Sequence, residues 1–369
     1  MNVKEAIIDE AKKIGIDIIG FTSSLPFKEV ENIIKDRESR GFLSGFEESD
    51  ISKRINPQAV MKDCRTIIST GISYNVEIEK VKHKADYRHK SEVSRCSWGT
   101  DYHSVLGAML NTLSSFIEYN FAGSAATFVD TNPLVEREIA RRAGIGYTGK
   151  NCSIINSVNG SYIFLGEILT NIYIEEDSPI VSDCGDCEIC INACPTGALC
   201  SPYTINAKKC VSYITQSKDI TAADYINFGN NIYGCDVCQR VCPKNKAAKI
   251  STHVEFMPEL WNAYPDAVDL LELDNKSFKN TFKKTSSGWR GKKNIQRNAI
   301  IVLGNSGNKQ FADYIKEMLS DERSDIRKAA LYSLYNLLGK DSAHILEGHL
   351  INESSKDIRD IVLELLKKE

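Results

Sequence analysis

The sequence has no apolar run long enough to cross a membrane and no large excess of charge of either sign. Its net charge of −3 gives no general reason to bind nucleic acid or a membrane surface, so such binding would need a local patch. The first twenty residues alternate Ile with Lys, Glu and Asp, which predicts an amphipathic helix and not the continuous apolar stretch of an export signal. These absences predict a cytosolic protein that does not associate with a membrane.

The chain is rich in cysteine. Its 369 residues, 42% hydrophobic and 26% charged, are enough for two or three domains of ordinary globular composition. Its twelve cysteines are not expected to form disulfides, because cytosolic thiols are kept reduced. Eight lie between Cys184 and Cys242, and this density predicts metal binding. The other four are scattered, at Cys64, Cys96, Cys152 and Cys200.

The eight clustered cysteines form two groups that each end in Cys-Pro. The spacing x2, x2, x3 of the first group is characteristic of bacterial two-cluster ferredoxins, in which the fourth cysteine ligates the other cluster. Exchanging the last cysteine of each group predicts two [4Fe–4S] clusters, one on Cys184, Cys187, Cys190 and Cys242, the other on Cys194, Cys210, Cys235 and Cys238. The alternative is a pair of structural zinc sites. Zinc usually takes two separated Cys-x-x-Cys pairs, which fits a three-cysteine run less well.

Four segments of different pattern follow one another along the chain. Residues 1–178 predict an α/β domain, with strands at 66–69 and 162–165 and helices at 102–119 and 133–143. Residues 179–247 predict a two-cluster ferredoxin-like domain. Residues 248–293 form a poorly patterned connecting segment that ends in a basic stretch, and residues 294–369 are expected to be all-helical.

The last segment contains a weak internal repeat. Arg297 begins an apolar helical stretch, and similar stretches begin 30 residues later at Arg327 and 32 residues after that at Arg359. A repeat of this length predicts a helical solenoid of the HEAT type, which provides a binding surface and not a reaction centre. A plain helical bundle is the alternative.

One stretch is strongly polarised. Residues 275–297 contain no acidic residue, and three aromatic residues, Phe278, Phe282 and Trp289, are interleaved with the basic ones. Basic residues with aromatics suit a phosphate backbone and stacked bases, and an ordinary lysine-rich surface is the alternative. The candidate RNA-binding residues are Lys283, Lys284, Arg290, Lys292, Lys293 and Arg297.

The densest group of candidate site residues in the N-terminal domain lies at 128–151. Asp130 precedes Thr-Asn-Pro, and a glycine-rich turn follows the next predicted helix. Glycines allow backbone N–H groups to approach a ligand closely, whereas an aspartate in this position is often only a helix cap. The turn does not match a phosphate-binding P-loop, because Gly149-Lys150 is followed by Asn151.

With these motifs together, the chain resembles the epoxyqueuosine reductase family. The resemblance covers nearly the whole chain and is carried by the cysteine groups and by Trp98–His103, Val129–Thr131, Arg142–Gly146, Gly149–Asn151, Phe164–Glu167 and Ile232–Asp236. It implies an enzyme that reduces epoxyqueuosine to queuosine in tRNA, the last step of queuosine biosynthesis. It also implies a cobalamin-binding N-terminal α/β domain similar to that of reductive dehalogenases, with cob(I)alamin fed by the two clusters.

The resemblance assigns Asp130 as the proton donor, with a pKa expected to be raised by burial against the corrin. It implies cobalamin contacts at Arg54, Ser94, Arg95, Cys96, Asp130, Lys150, Asn151 and Ser153. Cys96 has the alternative role of a small core residue, and the remaining scattered cysteines are expected in the core. A cobalamin signature Asp-x-His-x-x-Gly is lacking, since the glycine after Asp101 and His103 comes one residue late, at Gly107. This agrees with the family's habit of leaving cobalt without a histidine.

The partners implied are a tRNA with epoxyqueuosine in its anticodon loop and an external electron donor, and the protein is expected to be a monomer. Two other functions remain open from the sequence. A cobalamin-dependent dehalogenase-like enzyme explains the cysteines and the Asp130 segment, and a non-catalytic iron–sulfur carrier explains only the cysteines.

Overall fold

The structure is a computed structural model that describes residues 2–81, 84–130, 132–218, 220–259 and 261–367. Thr131, part of the Val129–Thr131 motif, lies outside the described residues. No helix in the described part of the chain is both long enough and apolar enough to cross a membrane.

The chain alternates short helices and strands before it becomes entirely helical. The helices are α1 (Val3–Ile14), α2 (Lys28–Ser39), α3 (Ile51–Ile55), α4 (Tyr102–Phe121), α5 (Glu136–Arg142), α6 (Ile189–Asn192), α7 (Val211–Ile214), α8 (Ala222–Tyr225), α9 (Val237–Arg240), α10 (Ala267–Leu271), α11 (Asn275–Asn280), α12 (Lys292–Asn305), α13 (Ala312–Glu317), α14 (Ser324–Leu338), α15 (Ala343–Asn352) and α16 (Lys356–Leu366). The strands are β1 (Ile18–Ser23), β2 (Thr66–Ser73), β3 (Glu92–Val93), β4 (Ala125–Phe128), β5 (Tyr147–Thr148), β6 (Ile154–Ile155), β7 (Ile163–Thr170), β8 (Leu199–Ser201), β9 (Thr204–Ile205) and β10 (Asn231–Tyr233).

The chain folds into two compact units, and each is built from separate stretches of sequence. The first unit comprises Met1–Ile78, Thr100–Cys210 and Asp236–Met257. The second unit comprises Glu79–Gly99, Val211–Cys235 and Pro258–Glu369.

The first unit is organised around a four-stranded antiparallel sheet with the order β1-β2-β7-β4. The predicted strand at 66–69 lies within β2, and the one predicted at 162–165 begins one residue later as β7. Every residue of β2 is buried, which suits its Ile- and Thr-rich sequence because β-branched side chains pack well on a covered sheet. Both predicted strands are therefore confirmed as central strands of the fold.

The helix predicted at 102–119 is confirmed as α4. The Asp101 side chain accepts a hydrogen bond from the His103 N–H and caps its first turn. Leu106, Leu110, Leu113 and Ile117 form the buried stripe of α4, and Gly166 of β7 leaves room for the first two of them. Because a Cβ on Gly166 would lie 2.9 Å from both leucine side chains, the glycine sets how closely helix and sheet approach.

The helix predicted at 133–143 is shorter in the structure. It begins only at Glu136 and ends at Arg142. The residues before it form a turn in which the Asn132 side chain accepts a hydrogen bond from the Leu134 N–H at 2.6 Å. Pro133 disfavours helical geometry in the residue before it, so this turn separates Asp130 from the helix.

The second unit ends in the helices α12 to α16, in agreement with the predicted solenoid. The three repeat arginines lie inside α12, α14 and α16, and not at the helix starts. Each binds a neighbouring turn: Arg297 donates to the Ser217 carbonyl, Arg327 pairs with the Glu353 side chain, and Arg359 donates to the Glu353 carbonyl. The periodic arginines thus tie each repeat helix to a loop beside it.

Candidate functional site

A cavity of about 300 Å³ opens at the end of β4 in the first unit. Its wall combines aromatic, amide, hydroxyl and carboxylate side chains from the sheet, α4 and α5. The lining residues include Tyr74, Tyr102, Asp130, Glu136, Arg137, Ser153, Ser161, Phe164 and Gln239. This volume lies at the lower end of the range for small-molecule sites.

Asp130 projects into this cavity from a backbone of unusual conformation. Its φ of +55° lies in the left-handed region, which is uncommon for a residue other than glycine and is often found at functional sites. Its side chain is 61% exposed. The Tyr102 hydroxyl donates to Asp130 Oδ2 at 3.0 Å, and the Asp130 N–H donates to Glu136 Oε1 at 2.6 Å. These two contacts aim the carboxylate at the cavity.

A protonated histidine stands beside this carboxylate. His103 Nδ1 lies 2.7 Å from Asp101 Oδ1, and its Nε2 lies 3.7 Å from Asp130 Oδ2. The hydrogen bond to Asp101, and next the nearby carboxylate of Asp130, raise the pKa of His103 to about 9. The imidazolium therefore places a positive charge beside the Asp130 carboxyl group at neutral pH.

Two further carboxyl groups lie behind Asp130. Burial, and then the charge of Asp130, raise the pKa of Glu136 to about 7. Glu167 of β7 is completely buried, and this burial together with the charge of Glu136 raises its pKa well above the usual value. One Glu167 oxygen accepts from Asn132 Nδ2 at 3.1 Å, and the other has no hydrogen-bond partner among the described residues.

One wall of the cavity is flat and aromatic. The rings of Tyr102 and Phe164 stack with centroids 4.2 Å apart and an interplanar angle of 4°, and Tyr74 packs against Phe164 at 4.3 Å. Beside them, Gln239 Nε2 donates to the Tyr74 hydroxyl and to the Ser161 carbonyl. This wall therefore offers aromatic rings with amide and hydroxyl groups beside them.

A second cavity of the first unit is lined by cysteines. Cys184, Cys187, Cys190 and Cys242, the predicted ligands of one cluster, line it together with Lys150, Asn151 and Pro243. The Lys150 N–H donates to Cys184 Sγ at 3.5 Å, as backbone amides do around iron–sulfur clusters. These four cysteines therefore share one cavity. No three His, Cys, Asp or Glu side chains in the described part of the chain surround a point that would hold a single metal ion.

The other four predicted cluster ligands are all half-buried. Cys194 lies just after α6, Cys210 follows the turn Ala207–Lys209, and Cys238 lies within α9, all in the first unit. Cys235 is the last residue of the Val211–Cys235 stretch of the second unit. The structure thus gathers the first predicted set in one cavity, and the second set stays a prediction.

Comparison with known proteins shows which family the chain belongs to. The family described as "Epoxyqueuosine reductase QueG, DUF1730" matches residues 54–131, a 4Fe-4S double cluster binding domain matches residues 183–245, and HEAT repeats match residues 290–367. The epoxyqueuosine reductase of Bacillus subtilis is 38% identical over 376 aligned residues, covering 100% of this chain and 97% of the relative. That of Staphylococcus aureus is 37% identical and covers 96% and 94%.

The chain belongs to the epoxyqueuosine reductase family. A crystal structure of an epoxyqueuosine reductase with an epoxyqueuosine-modified tRNA-Tyr stem loop has a TM-score of 0.93 to this structure at 38% identity, and covers 99% of this chain and 100% of that chain. The predicted resemblance, the 4Fe-4S domain and the HEAT repeats are therefore confirmed.

The residues predicted to contact cobalamin lie on several elements of the structure. Asp130 and Ser153 line the Asp130 cavity, whereas Lys150 and Asn151 line the cysteine cavity. Arg54 lies on α3, half-buried. The remaining three, Ser94, Arg95 and Cys96, belong to the second unit, where Ser94 Oγ lies 3.3 Å from Cys96 Sγ. As assignments to the cofactor, all eight stay predictions.

The three scattered cysteines predicted to lie in the core differ in exposure. Cys64 is buried, and burial raises the pKa of its thiol to about 11, so it is confirmed as a core residue. Cys152 is half-buried with a left-handed φ of +64°. Cys200 is exposed on β8, so its placement in the core was wrong. A single cysteine gives no periodic pattern in the sequence from which its exposure could be predicted.

The basic stretch includes both surface and interior residues. Lys283, Lys284 and Lys293 are exposed, and Arg290 and Lys292 are half-buried. Arg297 is only 5% exposed, and its guanidinium donates to the Ser217 carbonyl, so its assignment to an RNA-binding surface was wrong. Arg297 is buried because α12 is enclosed on all sides from Asn294 to Gly304.

The aromatic residues of the stretch also differ in exposure. Phe282 is buried, whereas Trp289 is 49% exposed and carries the Arg290 guanidinium stacked 3.8 Å from its ring centroid, so Trp289 is the exposed aromatic platform. Phe282 packs against Trp261.

Sequence reasoning missed the residues that surround Asp130. Glu136 and Glu167 were present in the predicted helix and in a quoted family motif, but a carboxylate in a strand or helix gives no local sign of burial. The only signal was Glu167 within an otherwise apolar run, since charged residues are seldom fully buried without a role.

Proposed function

We propose that this protein reduces epoxyqueuosine to queuosine in tRNA, with two [4Fe–4S] clusters and cobalamin as its cofactors. The observation that carries the proposal is Asp130, held in a left-handed conformation and aimed by Tyr102 into a cavity with a flat aromatic wall. Full-length similarity to epoxyqueuosine reductases supports the same conclusion. The division into segments 1–178, 179–247, 248–293 and 294–369 is part of the proposal.

The reaction removes one oxygen atom from an epoxide and leaves an alkene. Two electrons and two protons are consumed, and the oxygen leaves as water. When bound, cobalamin would supply a strongly reducing nucleophile for the epoxide carbon. The chain must supply a proton to the oxygen, because an alkoxide is a poor leaving group at neutral pH. Asp130 is the proposed donor, and Tyr102 holds its carboxyl group toward the substrate.

The residues proposed to hold the cofactors come from the two cavities. Tyr74, Tyr102 and Phe164 would support the face of the corrin, with Gln239 and Ser153 at its edge. Lys150 and Asn151 line the cysteine cavity, where Asn151 Nδ2 is buried, has no hydrogen-bond partner within the described ranges and can donate to a bound group. The interleaved cysteine sets would place the two clusters close together, so that electrons from an external donor pass singly between them.

The proposed tRNA surface lies in the second unit. Lys283 and Lys284 are exposed, and the Trp289 indole, held by its N–H to Gln216 Oε1 at 2.9 Å, presents a face for a base. An unpaired base of an anticodon loop is accessible for splaying into a cavity. The solved relative bound to a modified stem loop supports this partner.

The test is anaerobic reconstitution with iron, sulfide and cobalamin, followed by reduction and incubation with epoxyqueuosine-containing tRNA. Mass spectrometry of the nucleoside reports the loss of one oxygen. We expect turnover by the wild type and a rate lowered about 10²- to 10⁴-fold by Asp130→Asn. Asp9→Asn on the exposed face of α1 is the matched control. A wild type that takes up both cofactors and leaves the base unchanged would refute the proposed reaction.

A further inference from the structure

A carboxyl pair lies on the protein side of Asp130 and has no part in the mechanism above. Glu167 stands in the middle of β7, directly opposite Ser69 of β2 and Phe128 of β4. It lies on the sheet face that α5 covers, since Leu169 on that face packs against Ile139 of this helix. Glu136 is the first residue of α5 and also lines the Asp130 cavity.

Glu167 has hydrogen-bonding capacity that the described residues leave unused. Its side chain is 0% exposed, yet within that part of the chain Oε1 has no partner, and neither has the buried hydroxyl of Ser69. Residues opposite each other in an antiparallel pair point to the same face, so these two groups are neighbours. Buried polar groups of this kind are commonly satisfied by an ordered water or by a proton on the carboxyl group.

The charges around the pair favour holding a proton. No cation hydrogen-bonds to Glu167 in the described part of the chain, where its one partner is the neutral Asn132. Arg137 and His103 act electrostatically on Glu136, whereas Asp130 acts in the opposite sense. Three carboxyl groups in one small region cannot all be charged without strong repulsion.

We propose that Glu136 and Glu167 form a buried proton reservoir that returns a proton to Asp130 between the two protonation steps of the reaction. The transfer is balanced: the Glu136 carboxylic acid loses a proton and the Asp130 carboxylate gains it, through water in the cavity that both residues line. Glu167 keeps a proton beside Glu136, and solvent refills the pair between turnovers. This inference depends on the proposed function, because only a reaction that takes up two protons needs the second one.

The first test detects a protonated glutamate directly and does not require catalytic turnover. Infrared spectra of the full-length protein with ¹³C-labelled glutamate, taken at about pH 7, should contain a band from a protonated carboxyl group. Glu167→Gln should weaken that band, and the double variant Glu136→Gln with Glu167→Gln should remove it. Glu138→Gln, on the same helix but paired with Arg141 and Arg142, should leave it in place. A wild type without a protonated glutamate would overturn the proposal.

The second test uses the loaded enzyme and its pH profile. The reservoir is filled below the pKa of Glu136, which is about 7, so wild-type kcat should fall as pH rises through this value. Glu136→Gln keeps an acceptor for the Asp130 N–H, and should lower kcat about tenfold or more, abolish this pH limb and leave KM unchanged. Glu136→Asp should restore part of the rate.

The two proposals fail in different ways. A Glu136→Gln enzyme with the wild-type kcat and pH profile would overturn the reservoir while leaving the reductase function intact. If the wild type does not act on epoxyqueuosine, the reductase function fails and the reservoir that serves it fails with it. A protonated glutamate still visible in the infrared spectrum would then show a buried acid without this role.

Discussion

Two buried glutamates, one in each unit, are held in opposite charge states. Among the described residues, Glu167 in the first unit has Asn132 as its one hydrogen-bond partner, and burial raises its pKa well above the usual value. Glu353 in the second unit accepts two hydrogen bonds from Arg327, at 2.7 and 2.9 Å, and one from the Ser355 N–H. The Arg327 guanidinium lowers the pKa of Glu353 to about 2.

The difference shows how the two regions use buried polar groups. In the helical repeats, the buried Glu353 is paired with Arg327 and thereby joins α14 to the turn before α16. Beside the Asp130 cavity, the buried Glu167 has no cation as a hydrogen-bond partner among the described residues, at the expense of stability. A buried ionisable group whose hydrogen bonds and charge are all satisfied indicates a structural role. A buried ionisable group that is left incompletely satisfied indicates a role in the reaction.

The largest effect is expected where the paired glutamate loses its charge. Glu353→Gln should lower the free energy of unfolding by about 3 kcal/mol, because Arg327 is then left without its partner carboxylate. Chemical denaturation of the full-length protein, followed by the helical circular dichroism signal, measures this loss. A change within about 0.5 kcal/mol would show that solvent already screens the pair.

The same ion pair predicts a pH dependence. The pKa of Glu353 is lower in the folded protein, about 2, than its usual value of 4.5. Its contribution to stability is therefore fully present above about pH 4.5 and is lost as pH falls toward 2. Acid denaturation of the wild type and Glu353→Gln should give stabilities that converge across this window, and parallel curves would contradict the assignment.

Arg297 tests whether a buried cation without a carboxylate is also structural. Arg297→Met should lower the free energy of unfolding by about 2 kcal/mol, because it leaves the buried Ser217 carbonyl without its donor. The matched control is Arg359→Met at the exposed repeat position, for which we expect less than about 1 kcal/mol. Equal losses in the free energy of unfolding for the two variants would show that burial does not make Arg297 more important to stability than Arg359.

Glu167 should tolerate replacement by glutamine. Glu167→Gln replaces a protonated carboxyl group by an amide of nearly equal shape, so the free energy of unfolding should change by about 1 kcal/mol or less. The same denaturation experiment as for Glu353 measures it. A loss as large as that of Glu353→Gln would mean that Glu167 is ionised and paired, and would break the comparison.

The smallest effect is expected at the surface of the second unit. Lys283→Ala with Lys284→Ala should weaken binding of a tRNA stem loop and reduce the slope of log K against log salt by about 1 for each phosphate that the lysines no longer neutralise. Lys292→Ala with Lys293→Ala should have a smaller effect, since Asp325 already pairs with Lys293. Filter binding across a salt series measures both, and identical slopes for wild type and variants would contradict an RNA-binding role.

The sequence alone determined the features that depend on short spacing. Three ligands of one predicted cluster lie within seven residues, so the cysteine motif is readable without a fold, and the arginine-led repeats likewise reveal the solenoid. Asp130 was identified from the Val129–Thr131 motif, which carries the family resemblance. The residues that surround Asp130 in the fold played no part in that identification.

Only the tertiary structure decided what surrounds Asp130 and which charges are buried. Tyr102, Glu136 and Glu167 come from α4, α5 and β7, and they meet because the antiparallel sheet and its covering helices bring distant segments together. The same reason explains Arg297, which lies in a basic stretch of sequence yet turns inward to the Ser217 carbonyl. Charge and spacing are properties of the chain, whereas burial and pairing, which set the pKa of each carboxyl group, arise only when the chain folds.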